Sequence, residues 1–95
     1  MLEPVYGEGV PEQLDRVEHD TGRRALWNAI VDAIDLVCER PDSAEAHRYA
    51  LSFSGDRKAW RVPVRCRVED EDWVLVWFPD PPDAVILYVG RWPPS

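Results

Sequence analysis

The chain is poor in cross-linking and metal-ligating residues. Cys38 and Cys66 are its only cysteines, His19 and His47 its only histidines, and neither a Cys-x-x-Cys spacing nor a histidine cluster is present. That excludes a disulfide framework and a zinc site as organising features. Free thiols in a reducing compartment are expected instead. No apolar run approaches the ~18 residues that span a bilayer. The opening Met1-Leu2-Glu3-Pro4 has neither the basic nor the apolar region of a secretory leader. A soluble, cytoplasmic chain is the expectation. There is no internal repeat and no low-complexity linker, and 95 residues suit one domain, 1–95, with one core.

Positive charge is scarce and confined. The chain carries 18 acidic and 11 basic residues, a net charge of −7. Residues 1–45 hold eleven acids against four arginines, and residues 69–83 hold acids without a base. Only 57–67, with Arg57, Lys58, Arg61, Arg65 and Arg67 and no acid, offers the local positive potential that phosphate attraction needs.

What the chain has in quantity is β-forming sequence at its C-terminal end. Three runs, Trp60 to Val68, Trp73 to Phe78 and Ala84 to Val89, are separated by Glu69-Asp70-Glu71-Asp72 and by Pro79-Asp80-Pro81-Pro82-Asp83. Runs of this length split by turn residues predict a three-stranded antiparallel meander. In the first run Trp60, Val62, Val64, Cys66 and Val68 alternate with Arg61, Pro63, Arg65 and Arg67. The alternation predicts a half-buried strand with an arginine stripe outside. Pro63 cannot donate to a ladder, which places this strand at an edge or at a bulge. The other two runs are apolar on both faces and are expected to be central.

Upstream, Pro11-Glu12-Gln13 reads as a helix entry, with Leu14 and Val17 as its buried face. Thr21-Gly22 interrupts it, and a longer helix follows to about Glu39. Leu26, Ile30, Ala33 and Val37 form one stripe there, with Trp27, Val31, Ile34 and Cys38 beside it. Pro41 ends that helix, and Asp42 or Ser43 caps a short turn through His47. Val5-Tyr6 and Tyr49 to Ser54 are further candidate strands, and Gly55-Asp56-Arg57-Lys58 a turn. The fold class expected is α+β, helices packed on one face of a small antiparallel sheet.

This order of elements resembles the RelE/ParE superfamily of toxins from type II toxin-antitoxin modules. The residues that carry the resemblance are a helix ending in Glu39-Arg40-Pro41, a glycine turn at Gly55, and the strand Trp60-Arg61-Val62-Pro63-Val64-Arg65. Trp73-Val74-Leu75-Val76-Trp77 and the closing Ile86-Leu87-Tyr88-Val89-Gly90-Arg91 complete it. The resemblance covers roughly residues 11–92. It implies a RelE-like fold, a cognate antitoxin as partner, no metal or cofactor, and one of two activities. RelE-type members are endoribonucleases that cleave messenger RNA on the ribosome with basic residues and a Tyr or His; ParE-type members inhibit DNA gyrase.

On that resemblance, Arg61 and Arg65 are expected to bind phosphate and Arg91 to stabilise charge developing on it. His47 is the candidate base. Arg57, Lys58 and Arg67 are expected to contribute to RNA binding, with Trp73 or Trp77 offering a stacking platform if they share the arginine face. The same basic stripe also suits a solvated strand that resists edge pairing. Val74 and Trp92 stand where RelE-type enzymes place basic residues. That leaves a second function class open, a catalytically silent protein-binding module resting on Trp73, Trp77, Tyr88 and Trp92.

Overall fold

In this computed structural model the chain begins at a sheet edge with β1 (Glu3–Tyr6) and then reverses at Gly9. Gly9 takes a φ of 85°, a left-handed conformation costly to other residues, and aims the chain into α1 (Val10–Glu18). Pro11 occupies the first turn of α1, where a missing N–H costs no helix bond. The Asp20 carboxylate accepts the Gly22 N–H at 3.0 Å and closes a short 3-10 turn, Thr21–Arg23, before α2 (Arg24–Glu39). Ser43 then donates to the Arg40 carbonyl at 2.8 Å and accepts from the Ala46 N–H at 3.2 Å, capping the turn that leads back to the sheet. Residues 1–53, 57–67, 69 and 71–93 are described, with the backbone alone at 52, 53 and 57.

Four consecutive antiparallel strands follow: β2 (Tyr49–Phe53), β3 (Arg57–Val64), β4 (Trp73–Asp80) and β5 (Asp83–Arg91). The sheet order is β1-β5-β4-β3-β2, with β1 parallel to β5. The class is α+β as expected; the candidate strand at Tyr49 joins the meander as its first of four strands, and the one at Val5-Tyr6 becomes the parallel edge strand β1. All four of its residues are exposed, so burial left no mark on its sequence.

The edge position expected of β3 needs correction. β3 lies between β2 and β4, but its pairing with β2 begins at Tyr49↔Arg61 while its pairing with β4 extends to Val64. Pro63 therefore sits where β3 has a strand on one side only, which satisfies its missing donor without an edge strand. The strand also ends at Val64, so Arg65 and Arg67 lie beyond it. Of the turn expected at Gly55-Asp56-Arg57-Lys58, Arg57 and Lys58 belong instead to β3, which starts three residues before Trp60; Gly55 and Asp56, like Val68 and Asp70, fall outside the described residues.

Both helices pack on one face of the sheet. Leu26, Ile30, Val37, Leu75, Trp77 and Ile86 are fully buried between the layers. Each such side chain contributes about 1.5–3 kcal/mol of hydrophobic stabilisation. A bulge at Val76/Trp77 leaves Leu87 as the unpaired residue of β5, so that Ile86 and Val89 both reach this core. On the opposite face Ala59, Val74 and Val76 are also buried, packed against Leu51, Leu87, Tyr88 and Trp92. No helix among the described residues is long and apolar enough to cross a membrane.

Candidate functional site

The helix-free face of the sheet gathers the charge. Tyr49 of β2 pairs directly with Arg61 of β3, which pairs with Val76 of β4, so these side chains share one row. The Arg61 guanidinium carbon lies 4.7 Å from the centre of the Tyr49 ring and 5.0 Å from the centre of the Trp92 ring. Both distances are within reach of cation–π attraction. Among the described residues, Arg61 is thus held by two aromatic rings rather than by a carboxylate.

Arg48 completes the cluster from the turn before β2. Its Nε–H donates to the Tyr49 phenol oxygen at 3.3 Å. That hydrogen bond and the Arg48 charge hold the phenol below its ordinary pKa of 10.0, with smaller contributions from the charges of Arg61 and Arg65. Tyr49 remains 40% exposed. Phenol, guanidinium groups and indole meet at a cavity of about 380 Å³. Pro63, Val64, Val74 and Arg65 line it too, and the acidic residues Glu69, Glu71 and Asp72 border the same space.

The residues singled out from the sequence distribute unevenly over this geometry. Arg61 and Arg65 come together at the cavity. Arg91 is instead engaged outside its lining, with Nη1 3.2 Å from the Glu71 carboxylate. His47 lies on the helix side, its ring 4.4 Å from Trp60 and stacked on Trp77 at 5.9 Å with a 5° tilt. It does not share a face with Arg61. Lys58 and Arg67 are exposed and are not among the cavity-lining residues; the side chain of Arg57 lies outside the described residues.

Trp73 borders the cavity with Arg61 and Arg65, but its ring does not share the arginine face. It alternates with Val74, points into the helix-side core and is 4% exposed, and Trp77 is 0% exposed. β4 is apolar on both faces, so its sequence carries no alternation to tell the two apart. The aromatic residues beside Arg61 are Tyr49 and Trp92, neither of them the platform expected. Arg48 precedes Tyr49 in the chain, and the Tyr49↔Arg61 register brings the basic segment that carries Arg61 and Arg65 to the same phenol.

Asp15, Glu18 and His19 form the group of potential metal ligands found among the described residues; all three are exposed at the C-terminal end of α1. His19 there already bonds Asp15. No family model, no curated protein and no solved structure matches this chain.

Proposed function

We propose that this chain is the toxin of a RelE/ParE-like toxin-antitoxin pair, acting as an endoribonuclease on ribosome-bound messenger RNA. The observation that carries the reading is the cluster of Arg48, Arg61 and Arg65 around the Tyr49 phenol, on a face with room for a nucleotide. The helix-then-meander order supports the family resemblance, with a cognate antitoxin as the protein partner.

The chemistry follows from the groups present. Arg61 and Arg65 bind the scissile phosphodiester and stabilise charge that builds on its oxygens. Tyr49, in its phenolate form, takes the proton of the neighbouring ribose 2′-OH. The 2′-oxygen attacks phosphorus, the bond to the 5′-oxygen breaks, and a 2′,3′-cyclic phosphate forms. The phenol proton returns through solvent to the departing 5′-oxygen, so no net proton is gained or lost. Tyr49 takes the role expected of His47 because it shares the arginines' face.

Induced expression in a bacterial host, with growth scored and messenger RNA ends mapped in one culture, tests the reading. Growth arrest with cuts at ribosome-occupied codons, both abolished by the Arg61→Ala, Arg65→Ala double variant, is the expected result. Arrest with intact RNA and altered DNA topology would replace it with gyrase inhibition. No arrest from folded protein would leave the protein-binding alternative, which Val74 in place of a family arginine favours.

A further inference from the structure

Carboxylates repel phosphate, yet Glu69, Glu71 and Asp72 border the same cavity as Arg61 and Arg65. The Trp92 N–H donates to the Asp72 carbonyl at 2.9 Å, continuing the β4–β5 ladder one pair past Trp73↔Arg91. Asp72 alternates with the inward-facing Trp73, so residues 72 and 92 stand opposite each other on the helix-free face. Both line the cavity that contains Arg61 and Arg65. The Trp92 ring is half-buried, supported by the apolar cluster around Val74 and by the Arg61 guanidinium.

The three neighbouring carboxylates are not equivalent. Glu69 is paired with Arg23 at 3.3 Å and Glu71 with Arg91 at 3.2 Å, whereas Asp72 forms no ion pair among the described residues. A phosphate held by Arg61 and Arg65 brings its own nucleoside within the same cavity. Of the two aromatic rings on the arginine face of the cavity, Tyr49 is assigned to the proton transfer, which leaves the Trp92 indole for stacking; the acceptor without an ion pair among the described residues is the Asp72 carboxylate.

We infer that Trp92 and Asp72 form a base-reading subsite, in which an unpaired nucleobase stacks on the indole and presents amino or imino donors to the carboxylate. This rests on the RNA reading above and specifies its substrate. A carboxylate accepts hydrogen bonds and cannot donate them. Guanine offers a ring N–H and an exocyclic amino group side by side, matching two carboxylate oxygens. Uracil offers one N–H flanked by two carbonyl oxygens, which the carboxylate repels. The subsite therefore favours guanine over uracil, and favours single strands, because a paired base cannot reach the indole.

The test is binding of labelled pentaribonucleotides, with guanosine, inosine or uridine at the centre of a uridine run, followed by fluorescence anisotropy at low salt. Guanosine is expected to bind about tenfold tighter than uridine, the scale of one good base-edge contact. Inosine, which lacks the exocyclic amino group, is expected between them. Asp72→Ala and Asp72→Asn should bring the three affinities together, whereas Trp92→Ala should weaken all three and Trp92→Phe restore much of the loss. Equal wild-type affinities, or a guanosine preference that survives both Asp72 variants, would overturn the subsite while leaving the phosphate site standing. Absence of binding to every oligonucleotide by folded protein would overturn the subsite and the RNA reading together. Binding that is insensitive to Arg61→Ala, Arg65→Ala would do the same.

Discussion

The Trp77 indole N–H donates to the Ala46 carbonyl oxygen at 3.0 Å, across 31 positions of sequence. It fastens the turn before β2 to the centre of β4, and β2 is the strand that brings Tyr49 to Arg61. Four residues earlier on the same face of β4, the Trp73 Nε1 is buried with no hydrogen-bond partner among the described residues. Two indoles on one strand thus differ in what their N–H groups do.

Trp77→Phe should destabilise the fold more than Trp73→Phe. Both remove similar volume from the core, but only the first strands a buried carbonyl, at about 1–3 kcal/mol. Urea denaturation of the two variants measures the difference. Equal losses would show that the Ala46 bond contributes nothing.

The Tyr49 phenol should titrate below 10.0, and Arg48→Ala should raise its midpoint by removing the hydrogen bond that depresses it most. Ultraviolet absorbance of the phenolate, with Tyr49→Phe as the blank, gives both midpoints. A depressed phenol pKa favours the folded state only at alkaline pH; that contribution is complete above the unfolded value and lost as pH falls through the folded one. In the proposed cleavage, rate should climb with pH and level off at the depressed midpoint. A profile unchanged by Arg48→Ala would remove Tyr49 as the proton acceptor.

His19 closes α1, its Nδ1 2.9 Å from the Asp15 carbonyl oxygen and 3.1 Å from the Asp15 carboxylate. The backbone bond first, and the carboxylate charge second, raise its pKa above 6.5. Because the folded value is the raised one, the stabilising contribution is full below pH 6.5 and disappears as pH rises through the folded midpoint. NMR titration should show a lower midpoint in Asp15→Asn, with the backbone bond retaining part of the shift. A midpoint that stays put would rule out the carboxylate's share.

Gly90 is required by its neighbour two residues back. A Cβ there would stand 2.6 Å from the Tyr88 hydroxyl oxygen and 2.8 Å from the ring carbon that bears it. Gly90→Ala should swing the ring away and break its hydrogen bond to the Arg91 carbonyl, now 2.7 Å, at about 0.5–1.5 kcal/mol. In a Tyr88→Ala background the same change should be nearly neutral. Additive losses would locate the requirement in the backbone instead.

The elements of this fold were legible where burial is periodic. Leu26, Ile30, Ala33, Val37, Ile34 and Cys38 recur at helical spacing and are all buried. The alternation of β3 held through Val64 and misled beyond it, because Arg65 and Arg67 continue the pattern after the strand has ended. Of the site, Arg61 and Arg65 were legible as charges in a basic segment. Tyr49 was not, since one tyrosine at a strand start carries no period and its arginine neighbours are set by register. Trp92 was legible as one of the C-terminal aromatics, but its place opposite Asp72 was not, because a backbone bond across the β4–β5 ends sets it.

The short reach of β2 leaves a notch in the sheet beside Pro63, and Arg65 stands at it. That residue lines the cavity on the helix-free face and also two grooves on the helix side, one with Arg40 and one with Arg48. A single guanidinium cannot serve both sides at once. A ligand that drew the guanidinium toward α2 would withdraw it from the outer face, and one that held it outside would withdraw it from the grooves. Ligands that depend on it from opposite sides would antagonise one another, each weakening the other by the same factor.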